Sequence, residues 1–208
     1  MKKQNVSNAV IRRLPRYYRQ LEELLASGVV RISSSALGKA MGLTASQIRQ
    51  DLSCFGEFGQ QGYGYNVESL RNEVGQILGL GQKHTAIMLG VGNLGRALAQ
   101  NFSFRKSGFH LIAAFDMTPG SMETDFGTLH IYPVDKLDAF LNEHSVDVAV
   151  LTLPQNAARP TARHLAERGI RGIWNFTNVE LNLDNPNVVV ENVHFADSLL
   201  TLNYLISD

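Results

Sequence analysis

The spacing of apolar positions changes near residue 82. Over 6–27, Ile11, Leu14, Tyr17 or Tyr18, Leu21, Leu24 and Leu25 recur at helical spacing. Pro15 falls inside this pattern and is expected to break or restart the helix, which Gly28 ends. The serines 33–35 supply an N-cap for a short helix over 34–41, closed by Gly42. Thr44 caps the next helix, 45–54. Ala36, Leu37, Ala40, Leu43, Ile48 and Leu52 form the expected buried set. A further helix, 68–80, carries Leu70, Val74, Ile77 and Leu78 on one side. Beyond it the pattern becomes short apolar runs at 85–90, 111–116, 147–152 and 171–176, with a fifth at Val188-Val189-Val190. Helical stretches at 135–144 and 157–169 separate some of these runs. Such alternation predicts an α/β fold with a parallel sheet. The last segment, 196–207, places Leu199, Leu202, Leu205 and Ile206 on one stripe. It must pack on its own domain or on a partner subunit.

Two short helices joined by a turn containing Gly42 make a helix-turn-helix unit, whose second helix enters the DNA major groove. Ser46, Gln47, Arg49 and Gln50 are its outward residues. Arg and Gln make bidentate contacts with guanine and adenine edges. The stretch 55–67 has glycines among aromatics, including Phe58, Gly62 and Tyr63, and reads as a β-hairpin wing with Gln60-Gln61 at its tip. Arg12, Arg13, Arg16 and Arg19 give the first helix a basic face for phosphates. Three helices and a wing predict a winged helix.

The run 85–90 leads into Gly90-Val91-Gly92-Asn93-Leu94-Gly95, and a helix-forming stretch follows from Arg96. Asp116 lies 21 residues past Gly95, at the end of the next apolar run. Strand, G-x-G-x-x-G, helix, strand and acid in that order form the Rossmann dinucleotide fingerprint. Gly90 permits the tight turn, Gly92 lets backbone approach a pyrophosphate, and Gly95 allows close packing of helix on strand. The helix N-terminus offers N–H groups to the phosphates. Asp116 is placed to accept from ribose hydroxyls, which favours NAD(H) over a cofactor with a 2′-phosphate. Met117, Thr152-Leu153-Pro154 and Asn175-Phe176 follow or end strands, where ligands bind in such sheets.

Composition narrows the function class. The 208 residues carry no net charge, yet 1–85 hold 11 Lys and Arg against 6 Asp and Glu, and 86–208 hold 8 against 13. A basic first half fits nucleic acid. No apolar run reaches membrane-spanning length, and the N-terminal lysines precede no apolar core, so neither a membrane segment nor a signal peptide is expected. Cys54, the only cysteine, excludes an internal disulfide and a cysteine-based metal site, in keeping with a cytoplasmic protein. The six histidines are scattered, with no carboxylate at an obvious dyad spacing, and no substrate domain follows the nucleotide unit. No catalytic group or metal site is therefore expected. The nucleotide is read as a bound signal rather than a reagent, with an NAD-dependent oxidoreductase as the enzymatic alternative.

A winged helix, a Rossmann domain and an apolar C-terminal helix together resemble the Rex family of redox-sensing repressors. The resemblance rests on residues 13–19, 46–53, 55–59, 62–65, 90–95, 115–116 and 172–176. It implies a DNA-binding domain at 1–82, an NAD(H) domain at 83–194 and a swapped dimerisation helix at 195–208. It implies a homodimer on operator DNA, released by NADH and permitted by NAD+. Arg16 and the positions of Asn101 and His194 are then implied in coupling nicotinamide state to domain rotation. Here the chain departs from the family, which usually has Tyr and Asp at those two places and basic residues where Gln60-Gln61 stand. Those departures imply an alternative, a related regulator with an altered redox response.

Overall fold

The computed structural model describes residues 6–59, 63–124 and 127–207. The chain divides into two compact units, Met1–Gly81 and Gln82–Asp208.

The first unit contains α1 (Asn8–Ala26), β1 (Arg31–Ile32), α2 (Ser34–Met41), α3 (Ala45–Ser53), β2 (Tyr65–Asn66) and α4 (Val67–Ile77). Ser7, Ser33, Thr44 and Asn66 each accept a backbone N–H from the first turn of the helix they precede. Gly42 ends α2 in the left-handed conformation, φ +68°. Leu14, Tyr17, Leu21, Leu37, Ile48, Leu52, Leu70 and Val74 fill one core.

Two expectations change here. Helix α1 runs unbroken through Pro15. The proline is exposed, while Leu14, Tyr17 and Leu21 bury the opposite side and outweigh its missing N–H. On α2, Ala36 and Ala40 are exposed, and Leu37, Gly38 and Met41 face inward. Gly38 has no room for a side chain: a Cβ there would sit 2.6 Å from the Leu43 carbonyl oxygen. The tip of the expected hairpin, Gln60-Gln61, lies outside the described residues, and after it β2 pairs antiparallel with β1.

The second unit contains β3 (His84–Leu89), α5 (Asn93–Asn101), β4 (Phe109–Asp116), β5 (Gly120–Thr124), β6 (Gly127–Pro133), α6 (Leu137–Glu143), β7 (Val148–Leu151), α7 (Gln155–Glu167), β8 (Gly172–Asn175), β9 (Val189–Asn192) and α8 (Phe195–Ile206). The sheet order is β5-β6-β4-β3-β7-β8-β9, and every pairing is parallel except β5 with β6. Helices α6 and α7 cover one face, over Ile87, Leu89, Ala113, Phe115 and Leu151. Helix α5 covers the other, over Met88, Ala114 and Val150. The expected α/β class holds. The β5–β6 pair at the sheet edge is an addition to the predicted strands, although Leu129-His130-Ile131 alternates as a half-buried strand does. Helix α5 begins at Asn93, three residues before the expected start. None of α8 is buried, and Leu199, Leu202 and Leu205 are all more than half exposed. Among the described residues, no helix is long and apolar enough to cross a membrane.

One buried charge ties the first unit together. Asp51 on α3 is 1% exposed and accepts from Arg13 through two bonds of 2.6 and 2.7 Å, from Tyr17 at 2.9 Å and from Gln47 at 2.7 Å. Burial pushes its carboxyl up, but the Arg13, Gln47 and Tyr17 bonds outweigh this and hold it below the usual aspartate range. Asp51→Asn leaves Arg13 without its charge partner and is expected to cost about 3 kcal/mol at neutral pH. The native carboxyl titrates below its unfolded value of about 3.9, so the stabilisation is complete above that value. It is lost as pH falls through the native one. Denaturant unfolding at stepped pH, followed by helical circular dichroism, should show the wild-type advantage closing in acid. A gap equally large in strong acid contradicts the assignment.

Candidate functional site

The turn from β3 into α5 is built by three different glycine requirements. Gly90 has φ +93°, and a Cβ there would lie 2.7 Å from the Thr152 carbonyl oxygen. A Cβ on Gly95 would strike the Gly90 carbonyl oxygen and come within 2.8 Å of the Thr152 hydroxyl. That hydroxyl donates to the Gly90 carbonyl at 2.7 Å, locking the turn to the end of β7. At Gly92 no atom lies within 4 Å of the Cβ position, so the space over that residue is open. Asp116 braces the turn from β4: one carboxylate oxygen accepts from Val91 N–H at 2.6 Å, the other from Thr118 N–H at 3.0 Å.

A cavity of about 800 Å³ opens on this turn, at the carboxyl ends of β3, β4 and β7. Helices α5 and α7 both begin on it, after Gly92 and Pro154, and neither first turn has a side-chain cap. Two sets of uncapped N–H groups and two positive dipole ends therefore meet one concavity, an arrangement suited to phosphate. Gly90, Gly92, Asp116, Met117, Thr152, Leu153 and Pro154 all line it. Val91 is buried behind the turn, and Asn93, Leu94 and Gly95 open α5. Asn175 and Phe176 lie elsewhere. Asn175 is fully buried and donates to Val179 O at 2.8 Å and to Asn192 Oδ1 at 2.7 Å. Phe176 packs on Trp174 and Phe195, with ring centres 4.5 and 6.0 Å apart. The cavity also takes Val134, Leu137, Asp138 and His164 from the start of α6 and from α7. Only the apolar period of those helices is visible in sequence.

The histidines are better partnered than their sequence spacing suggests. His164 meets Asp138 at 2.7 Å across 26 residues, and His194 meets Glu180 at 2.7 Å across 14. Chain crossovers bring these pairs together, so no local spacing marks them. His194 precedes α8, and Glu180 also accepts from Asn192 at 3.1 Å. Asn101, at the end of α5, donates to Ala97 O at 3.0 Å in its own helix.

In the first unit, α3 presents Ser46, Arg49 and Gln50 to solvent. Arg49 donates to Ser34 Oγ at 3.0 Å, a bond between exposed groups. Gln47 and Arg13 are spent instead on Asp51. Arg16 donates to Met41 O at 3.0 Å, at the end of α2, and is otherwise exposed, as is Arg12. Phe58 packs partly against the core, whereas Tyr63 is 70% exposed and its carbonyl accepts from Arg31 at 3.1 Å. Gln60, Gln61 and Gly62 lie outside the described residues.

Comparisons with known proteins cover both units. A family described as "Putative DNA-binding protein N-terminus" matches residues 5–53, and one described as "CoA binding domain" matches 81–179. The redox-sensing transcriptional repressor Rex of Clostridium acetobutylicum is 48% identical over 100% of this chain and 96% of its own. Its counterpart in Clostridium novyi is 47% identical over 99% and 98%. The crystal structure of the repressor RSP with β-NAD+ and operator DNA superposes with a TM-score of 0.88 at 48% identity, covering 98% of this chain and 94% of that one. RSP with β-NADH gives 0.87 at 45%, covering 98% and 95%. On this likeness along its whole length, the chain belongs to the Rex family of redox-sensing transcriptional repressors.

Proposed function

We propose that this protein represses transcription by binding operator DNA, and that nicotinamide dinucleotide at the β3–α5 turn sets its DNA affinity. The observation that carries the reading is the open space over Gly92 between two uncapped helices, in the same chain as a recognition helix with Arg49 and Gln50 exposed. The residues fit the cofactor: helix N-termini for the pyrophosphate, and Asp116 for a ribose diol. The relative RSP is known with NAD+ and operator DNA together and with NADH.

Residues of α3 read base edges, with Arg49 and Gln50 as the discriminating pair and Ser46 beside them. Arg12, Arg16, Tyr63 and the segment 60–62 serve the backbone. Arg13 and Gln47 act one step back, holding Asp51 and so the pitch of α3. The functional unit is a homodimer acting in the cytoplasm. Its support is the exposed apolar surface of α8 and an apolar cavity of about 300 Å³ on the α5 side of the sheet, lined by Phe104, Val150 and Trp174. NADH and NAD+ favour different dimer geometries, and each shifts the population only by its differential affinity. The His194–Glu180 pair favours a second reading, a redox response altered in strength, because His194 is committed to a local acid.

The direct test uses a duplex enriched by the protein itself from a random pool in the presence of NAD+. Band shifts on that duplex should weaken when NADH replaces NAD+. Equal affinity in both overturns redox control.

The glycines separate binding from folding. Gly92→Ala is expected to melt like wild type yet lose NADH affinity by tenfold or more, about 1.4 kcal/mol, because the new methyl fills the cradle. Gly95→Ala is expected to lower the melting temperature of the second unit through its clash with the Gly90 carbonyl. Calorimetric titration and thermal melts check both. Unchanged NADH affinity in Gly92→Ala contradicts the placement.

A further inference from the structure

The cavity is longer than a phosphate site needs. Strand β4 lies between β3 and β6 in the sheet, so the cavity runs from the glycine turn past Asp116 toward the start of α6. With the phosphates at Gly92 and a ribose at Asp116, the base falls beyond Met117. There Val134 and Leu137 stand on one side, and Ala157 and Thr161 on α7 stand on the other. This end holds a fixed charge. Asp138 Oδ1 takes His164 Nε2 at 2.7 Å and Arg168 Nε at 3.4 Å. Arg168 also donates to the Asp138 carbonyl at 3.3 Å. Asp138 Oδ2 has no partner among the described residues, and the side chain is 57% exposed. His164 of α7 and Arg168, just past its end, thus orient a carboxylate from α6 and leave one oxygen open at the cavity wall.

An ionised carboxylate only accepts hydrogen bonds. It favours a base that donates from a ring amine and opposes one that presents a carbonyl in the same place. We propose that Asp138 selects the base of the bound dinucleotide, accepting from the 6-amino group of adenine and rejecting a 6-keto purine. His164 and Arg168 are positioning residues, acting through Asp138. This inference rests on the nucleotide reading above and assigns the specificity of its far end.

The probes are NADH and reduced nicotinamide hypoxanthine dinucleotide, which differs by an oxygen in place of the amine. Titration calorimetry gives the affinity ratio of the two within one protein sample, so a partly unfolded variant still reports a valid ratio. Wild type should prefer the adenine form by at least about tenfold, the range of a hydrogen bond to a charged group. Asp138→Asn should bring the ratio near one, because an amide can turn either its oxygen or its nitrogen toward the base. A wild-type ratio near one with NADH bound, or an unchanged ratio in Asp138→Asn, overturns the role of Asp138 and leaves the nucleotide reading standing. Failure of both dinucleotides to bind wild type overturns the nucleotide reading and this assignment with it.

Discussion

The contact on which the nucleotide unit depends is the approach of Gly95 to the Gly90 carbonyl, clamped by the Thr152 hydroxyl. It draws the first turn of α5 against the ends of β3 and β7. That closeness brings the bare N-terminus of α5 beside that of α7, so their dipoles add over one cavity rather than facing solvent separately. Asp116 supports the same turn through Val91 N–H. Its carboxylate is therefore already oriented by backbone at the place where a ribose would meet it, so less ordering remains to be done on binding. With a ribose bound there, the same charge would oppose a 2′-phosphate.

The first unit solves a comparable problem with a charge instead of glycines. The pitch of α3 is set from its inward face, where Asp51 sits. Three side chains converge on it, two of them from α1. Removing a buried carboxylate from water is costly, and only this full set of donors makes it favourable. The raised phenol of Tyr17 follows from the same burial and the same neighbour. The arginines of α1 thus serve different ends. Arg13 holds Asp51 and with it α3, while Arg12 and Arg16 stay at the surface.

Periodicity and punctuation made most of the fold legible. Ser33, Thr44 and Gly42 marked helix ends because capping is a local interaction. The G-x-G-x-x-G turn was legible because its glycines sit at a fixed spacing between a strand and a helix, although the Thr152 contacts that also demand Gly90 and Gly95 come from the far end of β7. What sequence did not reveal is non-local. Arg13 reads as one of four basic residues on a helix, and nothing nearby announces Asp51, 38 residues on. Asp138 and His164 are ordinary helix residues until the α6 and α7 crossovers bring them together. Pro15 misled for a related reason: the local penalty is real, but packing by Leu14, Tyr17 and Leu21 decides the outcome. The β5–β6 edge pair was missed because both strands carry polar residues at alternate positions, so neither shows the continuous apolar run that marks the buried central strands.

The central claim is that nucleotide and DNA are linked through one chain. Linkage is reciprocal: a ligand that weakens DNA binding by some factor must itself be weakened by DNA by the same factor. The decisive measurement is the NADH affinity of the full-length protein by calorimetry, with and without saturating cognate duplex. The expected result is weaker NADH binding on DNA, by the factor with which NADH weakens DNA binding. NADH affinity unchanged by DNA would contradict the claim.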